Sequence, residues 1–240
     1  MIAINPLAPH TLAVMELFGG LPPSALEGVA ALARVRCLPK DLRIFSQGDD
    51  GVRAHAVIEG GVRIAQSGRD GAQVIIRFIG PGEMFGTVAL FTDGRYPADA
   101  ITIAETLEAS WSEAELLKLI HLHPQIGVNL IRIIGKRLQE VQERVRELAT
   151  QSAERRVAHA VLRLAHQSGR TTFDGVAIEF PLRRRDLADI AGTTLHTASR
   201  ILTAWEKAGF LATHRQSLTL RQPSEISRIA EDAPQLMQRT

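Results

Sequence analysis

Residues 182–202, Leu182-Arg183-Arg184-Arg185-Asp186-Leu187-Ala188-Asp189-Ile190-Ala191-Gly192-Thr193-Thr194-Leu195-His196-Thr197-Ala198-Ser199-Arg200-Ile201-Leu202, read as two short helices joined at a glycine. Leu187 and Ile190 supply the apolar face of the first helix. Ala188 and Ala191 allow a second helix to approach closely, and Gly192 can adopt the left-handed conformation that a Cβ disfavours. Thr194 is a natural N-cap for the second helix, in which Leu195, Ala198, Ile201, Leu202 and Trp205 mark the packing face. His196, Thr197, Ser199 and Arg200 then stand in its first turns with polar heads outward. In a helix-turn-helix that docks on DNA, these are the positions that meet base edges in the major groove. Arg200 can fork onto guanine O6 and N7, whereas Ser199 and His196 are less exclusive. Thr194, Thr197, Arg183, Arg184, Arg185, His214, Arg215 and Gln216 surround them as phosphate-contact candidates.

The charge distribution agrees with a polyanion partner for this segment. The 240 residues hold 28 Lys and Arg against 26 Asp and Glu, a net +2, but the excess is local. Residues 1–150 carry 15 basic and 17 acidic side chains, while residues 151–225 carry 11 and 7. A hydrophobic share of 45% excludes a chain disordered throughout. One cysteine, Cys37, excludes an intramolecular disulfide framework and an all-cysteine iron–sulfur cluster; its expected role is packing beside a strand. Apolar runs fall short of the roughly 20 residues that cross a bilayer, and the N-terminus lacks a basic segment followed by an apolar one. The expectation is a cytoplasmic protein without membrane contact.

Upstream of the basic segment, residues 153–168 predict an amphipathic helix closed by Gly169, and residues 176–180 alternate like a strand. Residues 210–212 and 217–220 predict a terminal hairpin, followed by a short helix over 224–232. Between Pro124 and Thr150, Gly127, Ile131, Ile134, Leu138, Val141, Val145 and Leu148 are spaced 4, 3, 4, 3, 4, 3, a heptad seam. A helix of roughly 25 residues is about 40 Å long, too long to bury its stripe on one small domain. A second copy of the same helix is the natural partner, which makes Ile131, Ile134, Leu138, Val141, Val145 and Leu148 the expected homodimer interface; a bundle helix within one chain is the alternative.

Residues 11–18 and 24–33 predict short helices, the second capped by Ser24. Short β-type runs then occur at 42–46, 55–59, 62–65, 74–79 and 100–104, separated by glycine-containing turns, with Gly60-Gly61 a hairpin signal. A helix is expected over 113–120. The chain is therefore α+β: a small antiparallel β-roll or jelly roll with N-terminal helices over 1–123, a dimerisation helix over 124–150, and a winged helix-turn-helix over 151–240.

From about Phe18 to Pro223 the chain resembles the CRP/FNR superfamily of bacterial transcription regulators. The likeness rests on Gly60-Gly61-Val62, Pro81-Gly82-Glu83-Met84-Phe85-Gly86, the long helix and the helix-turn-helix ending Ser199-Arg200. It implies a sensing β-roll related to cyclic-nucleotide-binding domains, a dimer on a twofold-symmetric DNA site, and RNA polymerase as a partner. In the FNR-like branch a Glu-x-x-Ser-Arg stretch reads a TTGAT half-site; here His196 replaces the Glu, which leaves a TTG core and an open outer base. Residues 192–206 are most similar to nitric-oxide-responsive denitrification regulators of the NnrR/DNR type.

The resemblance also sets expectations for the effector. Cyclic-nucleotide binders of the superfamily use Gly-Glu before a short helix and Arg-Ser or Arg-Thr after it, a guanidinium and amide grip on the phosphate with Glu on the ribose. This chain has Gly86-Thr87 and Pro97-Ala98 there, which argues against cyclic AMP, with Arg95 two residues early. The expected effector pocket comprises Arg77, Phe78, Phe85, Gly86 and Thr87, with Leu130 and Ile134 from the long helix. A haem b serving nitric oxide would need an axial ligand, for which His10, His55, His121 and His123 are the candidates, although each also reads as a surface or capping histidine. His121-Leu122-His123 is followed by Gln125, Ile126 and Gly127, not the Glu a cupin metal site requires. No nucleophile elbow, Walker loop, HExxH or dinucleotide GxGxxG sequence occurs, so an enzyme is not expected. The alternatives are a cyclic-nucleotide-responsive regulator and a signal-binding module that acts through protein partners.

Overall fold

The computed structural model describes residues 7–68, 73–178, 181–214 and 217–231. The chain divides into two compact units, Met1–Glu143 and Arg144–Thr240. The long helix α4, Pro124–Thr150, is shared between them.

The first unit opens with α1 (Pro9–Ala13), a 3-10 turn at Glu16–Phe18 and α2 (Pro23–Leu32). Ser24 does not cap α2; Pro22 holds the N-cap position and Pro23 the first turn, where its fixed φ suits a helix start and its missing N–H costs nothing. Eight strands follow: β1 (Arg34–Leu38), β2 (Arg43–Phe45), β3 (Arg53–Glu59), β4 (Val62–Ser67), β5 (Gln73–Ile79), β6 (Met84–Phe85), β7 (Asp99–Thr102) and β8 (Thr106–Ser112). They form two antiparallel sheets of four, in the orders β1-β8-β3-β6 and β2-β7-β4-β5, the expected roll.

Gly60-Gly61 is a corner rather than a hairpin, because β3 and β4 lie in different sheets. Gly60 takes φ +84°, and a Cβ there would fall 2.2 Å from the Glu105 carbonyl oxygen. Thr106 seals the corner, its hydroxyl accepting from Gly61 N–H at 3.2 Å and facing the Gly61 carbonyl at 3.1 Å.

Two apolar clusters build this unit. Between the sheets lie Phe45, Val57, Val62, Ile79, Phe85, Ala89, Tyr96 and Ala100. On the outer face of the β1-β8-β3-β6 sheet, Trp111 anchors a second cluster with Phe18, Leu26, Leu116, Leu119 and Ile126. Its indole donates to the Val29 carbonyl at 3.0 Å and meets Phe18 edge-on at 5.2 Å, so the ring is buried without losing a hydrogen bond. Ser112 ends β8 and caps α3 (Glu113–Leu122) through a capping box with Glu115. Cys37 lies in β1 and is exposed; it does not fill the core as expected.

In the second unit α5 (Ala153–Ser168) starts at its N-cap Ser152, whose hydroxyl accepts from Arg155 N–H. β9 (Gly169–Thr172), β10 (Gly175–Ile178), β11 (Leu211–His214) and β12 (Ser217–Leu220) make one antiparallel sheet ordered β11-β12-β10-β9. The terminal hairpin is thus part of a larger wing, with β10 paired to β12. The predicted strand over 176–180 ends, among the described residues, at Ile178; 179 and 180 lie outside them. α6 (Arg184–Ala191), α7 (Leu195–Lys207) and α8 (Pro223–Glu231) complete the unit.

Candidate nucleic-acid interface

Gly192 closes α6 at φ +59°, and Thr194 opens α7 with its hydroxyl accepting from Thr197 N–H at 3.1 Å. Leu187, Ala188, Ile190 and Ala191 are buried on α6, facing Ala198, Ile201, Leu202 and Trp205 on α7. Trp205 donates from its indole to Glu154 of α5 at 3.1 Å. Leu195, expected to pack, is instead 45% exposed. The opposite face of α7 presents a shallow open depression lined by His196, Ser199, Arg200, Thr203, Ala204 and Lys207. Lys207 follows Arg200 by seven residues and Thr203 by four. Helical spacing therefore makes both neighbours of the expected base-contact positions, although neither belongs to the polar first turns of α7.

The remaining basic candidates have different fates. The Asp186 carboxylate accepts from the Arg183 backbone at 2.8 Å and from its guanidinium at 3.1 Å, a cap on the start of α6. Arg184, expected as a phosphate contact, turns its guanidinium toward α7. Its Nη1 donates to the Ser199 carbonyl at 2.9 Å and the Thr203 hydroxyl at 2.8 Å, and its Nη2 to Glu206 at 2.8 Å. Arg185 and His214 are exposed, and Arg215 and Gln216 lie outside the described residues.

The C-terminal end of α6 is held from behind. Arg156 donates to the Ala191 carbonyl at 2.9 Å, the Gly192 carbonyl at 3.1 Å and the Gln151 carbonyl at 2.7 Å. Leu148 touches the turn: a Cβ on Gly192 would sit 2.4 Å from its Cδ2. The last residue of the heptad seam is therefore also a support of the helix-turn-helix. The apolar seam residues are nevertheless uncovered: Ile131 is 72% exposed, Ile134 44%, Leu138 57%, Val141 58%, Val145 61% and Leu148 itself 46%.

In the β-roll, His55 is a buried network residue, not a surface or capping histidine. Its Nδ1 bonds to Glu108 and its Nε2 lies 3.0 Å from the Tyr96 hydroxyl, while Phe85 stacks on the ring at 5.0 Å. Glu108 also holds Arg36 at 2.8 Å. Burial drives the His55 pKa below its ordinary 6.5 despite the pull of Glu108. Burial opposes ionisation of Glu108, but the His55 bond and the Arg36 charge overcome it and keep the carboxyl below 4.5. A neutral imidazole donating to a carboxylate satisfies both directions, leaving Nε2 to accept from Tyr96.

His55 does not fit an axial haem ligand, because both its ring nitrogens are committed; His10 and His121 are exposed and His123 is half-buried at the end of α3. Among the described residues no group of three or more His, Cys, Asp or Glu is placed to hold a metal. The expected effector residues are only partly gathered. Phe85 belongs to the inter-sheet cluster with Tyr96, and Leu130 to the outer cluster with Trp111; Ile134 faces solvent. Phe78 and Thr87 are buried, and Gly86 at φ +73° lies against His55 and the Arg53 carbonyl. Arg77 is clasped by Glu83 at 2.7 Å, and the same carboxylate oxygen receives Arg137 of α4 at 3.2 Å. Burial lowers the Arg77 pKa, against the Glu83 charge. At the cyclic-phosphate positions, Thr87 and Ala98 are 8% and 4% exposed, and neither carries a charge to meet an anion.

Residues 35–123 match the cyclic nucleotide-binding domain family, and residues 155–229 match the Crp-like helix-turn-helix domain family. The chain is 30% identical over 214 residues to the cyclic AMP receptor protein of Thermus thermophilus, covering 89% of this chain and 96% of that one. It is 25% identical over 219 residues, covering 91% and 98%, to the CRP-like cAMP-activated global transcriptional regulator of Mycobacterium tuberculosis. The structure of FixK2 from Bradyrhizobium japonicum shares the fold at a TM-score of 0.73 and 24% identity, covering 84% of this chain and 98% of that one. The chain belongs to the CRP/FNR family of DNA-binding transcription regulators.

Proposed function

We propose that the protein acts as a homodimer paired along α4, presenting two α7 helices to a twofold-symmetric DNA site. The observation that carries this reading is the uncovered apolar stripe, Ile131 to Val145, on a helix with a heptad repeat. Burying such a stripe against its own copy removes apolar surface from water at both chains, and parallel pairing places the two reading heads on one side. Half-sites about 34 Å apart then fall on successive major grooves. Arg200 reads a guanine through its fork, and Ser199 and His196 contact neighbouring bases or phosphates. A TTG-N8-CAA type palindrome has a guanine pair suited to two copies of Arg200. Residues exposed around α7, including Arg185 and Lys207, supply sequence-independent attraction to phosphate.

The β-roll then serves as the sensor. We propose a small effector other than a cyclic nucleotide, because Thr87, Pro97 and Ala98 cannot grip a phosphate and a ribose. Nitric oxide is the signal implied by the likeness of residues 192–206 and would require a trap; of the four candidate histidines, His55 is committed through both ring nitrogens. RNA polymerase is the partner through which a DNA-bound regulator of this family acts. A signal that favours one arrangement of the heads by about 1–3 kcal/mol suffices for switching.

An electrophoretic shift titration of the palindrome against scrambled DNA tests the reading. Selective binding by the full chain, lost in Arg200→Ala with the dimer intact, is the expected result. Equal binding of both DNAs rejects sequence-specific recognition, and a monomer at micromolar concentration rejects the pairing.

A further inference from the structure

We infer that Arg184 is a positioning residue for base recognition, fixing the rotation of α7 about its axis together with Glu206. This deepens the DNA-binding reading and rests on it. Arg184 stands at the first position of α6, yet its guanidinium reaches across to α7. Three acceptors receive it: the Ser199 carbonyl, the Thr203 hydroxyl and the Glu206 carboxylate, at 2.9, 2.8 and 2.8 Å. These residues are spaced 4 and 3, one stripe along a single side of the helix. The reading stripe, His196, Arg200 and Lys207, borders it.

Geometry explains why this stripe matters. Base recognition demands that a side chain arrive within about 0.5 Å and 10–20° of its partner. Apolar packing by Ala198, Ile201, Leu202 and Trp205 defines which face of α7 is buried, but apolar contact is non-directional and tolerates small rotations. Hydrogen bonds do not. A planar fork bonded at three points over two turns is broken by a rotation that would leave the apolar face buried. The Trp205 bond to Glu154 anchors α7 from α5 and gives a second, independent polar fix.

The same bonds direct Arg184 toward α7: both Nη1 hydrogens and one Nη2 hydrogen are used inside the protein, so the end-on fork is spent there and Nε–H and one Nη2 hydrogen remain. Arg184 and Glu206 are partly buried, at 33% and 26% side-chain exposure, where a charged bond is screened less than at the surface. Of the three consecutive arginines, only Arg185 is left outward without a hydrogen bond among the described residues.

The test uses the full chain and its Arg184→Gln, Arg184→Lys and Glu206→Gln variants. For each, shift titrations over a salt series compare the operator with a version in which the guanine opposite Arg200 is changed. Amide exchange without DNA follows α7 against α5. Arg184→Gln is expected to cut the preference for the guanine-containing site about tenfold while the salt slope stays at the wild-type value. Glu206→Gln should cut the preference in the same direction, the double variant should lose little more than Arg184→Gln, and exchange should rise in residues 195–207 but not in α5. A salt slope lowered by about 1 with the preference intact would mark Arg184 as a phosphate contact and overturn the inference. Wild-type preference and exchange in Glu206→Gln would overturn it as well. If the wild-type chain shows no operator preference, the DNA-binding reading fails by itself, and exchange in α7 still decides whether Arg184 holds the helix. Should Arg184→Gln fail to fold, Glu206→Gln, which leaves the other two bonds in place, and Arg184→Lys carry the comparison.

Discussion

The Tyr96 ring lies flat on the Phe45 ring, with centroids 3.6 Å apart and planes 5° from parallel. Tyr96 sits directly before Pro97-Ala98, the pair that stands where cyclic-nucleotide binders carry a cationic grip, and its side chain fills the space between the sheets. Its hydroxyl also accepts from the Arg53 backbone at 2.8 Å. Tyr96→Phe keeps the stack and removes that acceptor, leaving a part-buried N–H and the buried His55 Nε2 without those partners. A loss of about 1–3 kcal/mol in urea unfolding is expected, and Tyr96→Ala should lose about 3–5 kcal/mol.

The His55–Glu108 pair sets an acid limit for the β-roll. The folded-state pKa of His55 is lowered, so the unfolded chain takes up a proton more readily than the native one below pH 6.5. Its contribution is complete above that value and declines as the pH falls below it. Glu108 is likewise lowered, so its contribution is present above pH 4.5 and is lost below. Stability measured by chemical unfolding across pH 4–8 should fall in two stages. Substituting His55 with Gln should flatten the upper stage and leave a carboxylate-driven decline below pH 4.5.

Two glycines with positive φ should respond differently to alanine. At Gly60 the new methyl meets fixed backbone, the Glu105 carbonyl oxygen at 2.2 Å and Thr106 Cα at 2.8 Å. At Gly192 it meets a leucine side chain that can turn away. The left-handed conformation costs either variant about 1–2 kcal/mol. Gly60→Ala should exceed that by several kcal/mol or fail to fold, whereas Gly192→Ala should remain close to it, as read from denaturation midpoints.

Leu138 and Val141 lie at the middle of the exposed stripe, so Leu138→Glu and Val141→Glu should leave the monomer fold unchanged and separate the dimer. Sedimentation velocity gives the answer directly. Operator affinity should fall in parallel, because one head alone captures one half-site.

The elements that were plain in the sequence are those with an unbroken period. α4 and α5 have the predicted bounds, and α6 and α7 follow from a capped, glycine-punctuated pattern. β8 was not legible because its inward positions include Glu108 and Ser110, buried polar residues that interrupt the alternation. Their partners Arg36, His55 and Arg53 are 53 to 72 residues away, a distance no local pattern spans. The Gly60-Gly61 turn is legible, but that the two strands it joins lie in different sheets is not, because sheet membership is set by pairing with β7 and β8 far along the chain. The arginine run shows the same limit at the helix-turn-helix: Arg183, Arg184 and Arg185 are one composition, and only the fold separates a cap, a cross-helix clasp and an exposed cation near Asp189.

Leu148 faces both ways, toward the turn at Gly192 and along the seam. Evolution can therefore not tune that position for one duty without disturbing the other. Residues 148 and 192 should drift as a pair among related chains, a bulkier turn residue accompanied by a smaller neighbour. Any genetic screen that scores pairing at 148 will also collect lesions of the reading head, so a reporter of subunit contact alone belongs further up the rod.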